Sequence, residues 1–314
     1  MRVPVDKVAS AVKMGAAAKR EQDVPVRVAV FVDATATRFL IDTVRHALVP
    51  STTSGLVRVD RLGEDPVAIK PDTDVVLVLS CGSDRLQSAV RELVVGGAPV
   101  CVLCESSVEA PFIQSDTPVL GLIAAQDADH LLGQLSEWIM DRTDKQTAFA
   151  ACFAFMRRAA SNRVIASTVA ANALTGALVF IPGADYPVMT LAQIGMLFQL
   201  ASAYDKPIRL ERAYEAAGVV VSGLAVRAVA RQLSSRAGYG AFAVKALCAA
   251  AGTYAMGRAL TLVYESDIDY EPVNRVVLGV ADRVRQAFAG GAETARQEKG
   301  SRLPPIPLSS KSSS

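Results

Sequence analysis

The chain has 314 residues, enough for two domains that each bury a core. It is 51% hydrophobic with a mean hydropathy of +0.29, yet only 6% aromatic, so the excess apolarity is aliphatic and small. Lys plus Arg (33) nearly balance Asp plus Glu (31), which leaves no electrostatic ground for a nucleic-acid partner.

The N-terminal segment, residues 1–24, places Val5, Val8 and Val12 at helical spacing among Asp6, Lys7, Lys13, Lys19 and Arg20. It reads as a short amphipathic helix without the apolar core of a secretion signal. From 25 to 142, short β-rich runs alternate with helical ones, the pattern of βα units around a mostly parallel, Rossmann-like sheet. Strands are predicted over Val26 to Val32, Leu56 to Asp60, Val75 to Ser80, Pro99 to Cys104 and Val119 to Ile123. Val75 to Leu79 is apolar at every position, as a strand covered on both faces requires. Helices are predicted over Thr37 to Leu48, Asp84 to Val95 and Asp127 to Met140. The last carries the only tryptophan, Trp138, in phase with Leu131, Leu135 and Ile139, and so in the core.

The turn after the first strand is where a nucleotide-binding α/β domain carries its phosphate loop. Such a loop needs glycines, so that backbone amides can wrap the phosphates, and a lysine for their charge. Here there is no glycine between Gly15 and Gly55 and no lysine between Lys19 and Lys70. Asp33, Thr35 and Thr37 remain as candidates for a nucleotide site, with Asp60 of the D-x-x-G run Asp60 to Gly63. The later base-recognition position reads Glu105-Ser106-Ser107, without the Asn-Lys-x-Asp pattern of GTPases. No catalytic residue and no cofactor is implied. Cys101 and Cys104 form a C-x-x-C inside a buried strand, and redox pairs sit instead at strand-to-helix turns. Of the five cysteines, Cys81, Cys101, Cys104, Cys152 and Cys248, none is expected in a disulfide, and His46 and His130 are too isolated for a metal site.

After Arg142 the composition changes, and residues 145–288 read as an Ala/Gly-rich helical domain, which makes the fold class α/β plus all-α. Lys145 to Arg163 is predicted as one helix ending in Arg157, Arg158 and Arg163. Val164 to Ala184 is a run of 21 residues without a charge, and Tyr186 to Tyr204 one of 19. Asp185 between them is expected to cap the second helix, after a turn at Pro182 and Gly183. Further helices are predicted over Glu211 to Leu233, Gly238 to Tyr264 and Pro272 to Phe288. Residues 289–314, with Pro304, Pro305 and Pro307, read as a disordered tail. A fragment ending near Asp141 is expected to fold alone.

The charge-free helices admit two readings. About 20 apolar residues cross a bilayer, so the hairpin could insert with its basic ends on the cytoplasmic side. Alternatively it could form a soluble bundle. Gly176, Gly183, Gly195, Gly252 and Gly257 suit close helix contact in either case.

Two stretches carry a likeness to a known family. They are Val179 to Asp185 running into Gln193-Ile194-Gly195-Met196-Leu197 and Tyr204, and Ala250 to Ala259 with Gly252 and Gly257. Over residues 158–270 the chain resembles a bacterial family of unknown function, found in YcjF-type inner-membrane proteins and downstream of GTPase domains. The resemblance implies membrane lipid as a partner and a place on the cytoplasmic side of the inner membrane, hairpin-inserted or multi-pass. It also implies a GTPase-like neighbour, here degenerate, and supplies no catalytic residues. The expected role is a non-catalytic membrane-associated scaffold, with a protein partner or a second copy of the chain as further occupants. A nucleotide-binding protein with an unusual site and a soluble helical interaction module are the alternatives.

Overall fold

The computed structural model describes residues 5–178, 185–206 and 241–266. The helices predicted over Glu211 to Leu233 and Pro272 to Phe288, the tail 289–314, and the turn at Pro182 and Gly183 lie outside them. An N-terminal helix α1 (Val5–Gln22) leads into five parallel strands: β1 (Val26–Val32), β2 (Gly55–Arg61), β3 (Val75–Leu79), β4 (Val100–Cys104) and β5 (Leu120–Ala124). Between and after them run α2 (Arg38–Ala47), α3 (Leu86–Val95) and α4 (Ala128–Arg142). All five strands were expected, within a residue or so at each end. Thr37 caps α2 and Asp127 caps α4, each accepting a backbone N–H three residues on, because a helix start leaves amides that only a side chain or water can satisfy.

The strand order is β2-β1-β3-β4-β5, so the uniformly apolar β3 is central. Its five residues are all buried between two layers. One face of the sheet, with Ala29, Phe31, Val76 and Val78, packs on α3 and on the crossover that joins β2 to β3. The other face carries Val28, Val30, Leu77, Leu79 and Cys101, and its core continues without a break through α2 and α4 into the later helices.

Those later helices are α5 (Gln146–Cys152), α6 (Arg157–Leu178), α7 (Asp185–Ala203) and α8 (Ala241–Glu265). The single helix expected over Lys145 to Arg163 is instead broken. Phe153 is extended (φ −124°, ψ 117°) and a single 3₁₀ turn, Ala154–Met156, separates α5 from α6. The break lets Phe149 and Phe153, both fully buried, enter the core with their rings 6.1 Å apart. The basic cluster consequently opens α6, where Arg157 lies 5.8 Å over the Tyr204 ring and Arg163 pairs with Glu137 and Asp141 of α4. These arginines join helices to one another.

The change of composition at Arg142 is therefore no break in packing. Residues Met1–Asp267 form one compact unit, and the sheet and α5–α8 share one core. The folding of a fragment ending at Asp141 loses its premise, because Phe149, Phe153 and Met156 cover that face of the sheet.

α7 begins at Asp185, where the cap was expected. Its charge-free length is packed against α1, α5 and α6, with Met196, Leu197, Leu200 and Ala201 buried. Small residues allow the approach: a Cβ on Gly195 would stand 2.5 Å from the Met14 Cε of α1, and one on Gly257 of α8 would stand 2.6 Å from the Ile165 Cγ1 of α6. Gly252 is half-buried. Thr168 and Asn172 of α6 face inward. Asn172 Nδ2 and Gln193 Nε2 both donate to Thr253 Oγ1, at 2.9 and 3.3 Å, tying α6, α7 and α8 through one buried hydroxyl. Among the described residues, the helix long and apolar enough to cross a membrane is in α8, Lys245–Glu265, with 28% of its most apolar window buried. It was the first hairpin that the sequence favoured. α7 offers only a shorter apolar stretch, Val188–Ala203.

Candidate functional site at the carboxyl edge of the sheet

In this strand order the chain runs from β1 outward to β2 and then returns across β1 to β3. A crevice opens where the direction reverses, beyond the carboxyl ends of β1 and β3, and parallel α/β sheets bind ligands at such switch points. Three of the four sequence candidates, Asp33, Thr35 and Thr37, meet there.

Asp33 follows β1 directly and is only 5% exposed. Its Oδ2 accepts hydrogen bonds from Ser80 Oγ at 2.5 Å and Thr35 Oγ1 at 2.9 Å. Burial alone would push this carboxyl up. The hydroxyls of Ser80 and Thr35, the nearby Ser83 hydroxyl without a closed hydrogen bond, and the Ala34 amide outweigh it and hold the group below its ordinary value. Asp33 is thus an anion at neutral pH. The Thr35 oxygen also accepts the Cys81 amide at 3.0 Å, so the turn after β3 is fastened to the turn after β1.

Thr37, the α2 cap, donates to Glu105 Oε1 at 2.5 Å, which brings the end of β4 to the start of α2. Glu109 accepts the amides of Glu105 and Ser106 at 3.1 and 3.2 Å. Gly82 has φ +87°, a conformation that L side chains resist, and its missing Cβ would stand 3.1 Å from the Glu109 carbonyl. Beside this cluster lies an open depression of about 500 Å³ lined by Cys81, Ser83, Gln87, Glu109 and Phe112.

Asp60 does not join them. It is exposed on the edge strand β2, in register with Phe31, and takes no part in the hydrogen bonds that link the other three to Ser80, Cys81 and Glu105. The partners of the other three that carry the geometry are Ser80 and Glu105, which no motif marked. Their one legible signal is position, since Ser80 follows directly on the end of a strand.

The chemistry of this arrangement follows from its charges. A phosphate at the switch point would be met by backbone amides at a helix start. Here a resident carboxylate, Asp33, takes the hydroxyl donors, and a second, Glu105, takes the cap of α2. Burial pushes the Cys101 thiol well above its ordinary value and Cys104 up to about 12, which disfavours the thiolate at both. Both are free and fully buried, on opposite faces of β4.

No protein-family model matches the chain, and no curated protein matches it.

Proposed function

We propose that the chain is a non-catalytic, membrane-associated scaffold whose α/β part is a GTPase-like head without nucleotide chemistry, of the YcjF-type family that residues 158–270 resemble. The observation that carries this reading is the ionised, buried Asp33 at the switch point. Its charge opposes a triphosphate where the fold would hold one, and Ser80 and Thr35 are already committed to it. Support for the membrane part comes from α8, which is apolar over Lys245–Glu265 and leaves Leu247, Tyr254 and Leu262 exposed. Lipid is the partner that fits such side chains.

Two measurements test the reading. Titration calorimetry with GTP, GDP and ATP in the presence of magnesium is expected to give no binding heat. Saturable binding that Asp33→Ala abolishes would place a working nucleotide site there. Cell fractionation is expected to leave the protein with membranes, and carbonate washing then separates an inserted chain from an adsorbed one. Full recovery in the supernatant at low salt removes the membrane role and favours a soluble interaction module.

A further inference from the structure

The strand β2 is an open edge: it pairs with β1, and among the described residues nothing else pairs with it. The ladder to β1 uses its even-numbered residues, since Ser54 O accepts from Val26 N at 3.0 Å and Leu62 N donates to Val32 O at 2.9 Å. The N–H and C=O groups of Val57 and Val59 and the N–H of Arg61 therefore point away from the sheet. Open edges pair with other strands unless something blocks them. No proline or bulge interrupts Gly55–Arg61, and Val59 is 65% exposed.

The side chains say what would pair. Lay a second β2 antiparallel to the first with Val59 facing Val59 of the copy. Val59 then becomes a hydrogen-bonded pair that uses the outward N–H and C=O on both chains, and Val57 falls opposite Arg61. The intervening positions are non-hydrogen-bonded pairs, where side chains come closest. They place Arg58 opposite Asp60, twice over. Centring the pairing on Val57 instead would set Asp60 against Ser54 and lose both ion pairs. Arg58 is already held extended by Asp72, with both terminal nitrogens bonded at 2.8 and 2.9 Å, and a guanidinium has further N–H groups for a second carboxylate.

We propose that two copies of this chain join through β2, antiparallel about Val59, into one continuous sheet of ten strands, five from each copy. The partner is a second copy because the edge is complementary to itself in charge, in hydrogen-bonding phase and in its apolar centre. The two-fold axis makes both Arg58–Asp60 pairs equivalent. This association is independent of nucleotide and of lipid.

The test is the mass of the full chain by sedimentation velocity, in detergent if it is extracted from membranes. The native chain is expected at twice its 33.1 kDa. Val59→Pro removes an outward N–H without touching the β1 ladder, and Asp60→Arg sets two arginines against each other. Each is expected to sediment as a monomer with an unchanged circular dichroism spectrum and melt. An equal mixture of the Asp60→Arg chain with an Arg58→Glu chain restores both ion pairs and is expected to return the dimer mass. A monomeric native chain overturns the proposal. So does a dimer that survives Asp60→Arg, or a mixture that stays monomeric. Should Val59→Pro unfold, the exposed Asp60→Arg decides alone.

Discussion

Adding one methyl group at Gly121 should be among the most damaging changes that can be made to the sheet. Gly121 sits on β5 under the indole of Trp138 from α4, and an ideal Cβ there would stand 2.0 Å from Trp138 Nε1 and 2.6 Å from Asp116 Oδ1. Neither neighbour yields cheaply. The indole is 6% exposed and donates to Asp116 at 3.1 Å, and the Arg142 guanidinium lies 4.4 Å over its ring while pairing with the same Asp116. Gly121→Ala must push the ring outward. Overpacking of this kind costs about 1–3 kcal/mol and the lost indole hydrogen bond about 1 more, giving roughly 2–4 kcal/mol. Trp138 is the only tryptophan, so its fluorescence reports this site alone. The expected result is a red-shifted emission together with a melt lowered by several degrees. Trp138→Phe takes away the atoms that collide, so the double variant should be less destabilised than the sum of the two singles by at least about 1 kcal/mol. An unchanged spectrum and melt in Gly121→Ala, or strict additivity in the double variant, would refute the reasoning.

Other expectations follow from the same contacts. Because the folded pKa of Asp33 is lowered, its contribution is fully present above the ordinary value of 3.8 and is lost as pH falls through the lower folded value. Asp33→Asn should therefore cost about 1.5–3 kcal/mol in urea unfolding at pH 7 and progressively less below pH 3.8, and a difference that grows on acidification would contradict the assignment. Thr253→Val removes the acceptor of two buried amides and should lower stability by about 1–3 kcal/mol per amide in thermal melts. Asn172→Leu removes a carbonyl that already has no partner and should cost less, so the reverse ranking would rule out the Thr253 hydroxyl as the shared acceptor. A fragment ending at Arg142 uncovers the sheet face that Phe149 and Phe153 close, and is expected to aggregate where the full chain does not. In the intact chain Phe149→Ala should cost about 3–5 kcal/mol by denaturant titration, and a soluble, cooperatively melting fragment would show that the sheet closes its own core.

What the sequence determined by itself was everything with a local cause. The uninterrupted Val75 to Leu79 run announced a strand covered on both faces, Thr37 and Asp127 announced helix starts, and the phase of Trp138 with Leu131 and Leu135 put it in the core. Each of these signals lies within one turn or one strand, because periodicity and capping are properties of neighbouring residues. The order of the strands is not such a property. Only the tertiary structure sent β2 to the edge, which left Asp60 exposed in register with Phe31, and brought Ser80 and Glu105 to Asp33 and Thr37 from 47 and 68 residues away. It also decided the break at Phe153, where helix propensity yielded to the burial of two phenylalanine rings. The packing of the apolar helices was decided in the same way. Lack of charge is compatible with lipid and with a protein interior, and it was the packing of α1, α5 and α6 around α7 that turned the stretch after Asp185 inward, while α8 packs one side on α6 and leaves Leu247, Tyr254 and Leu262 exposed.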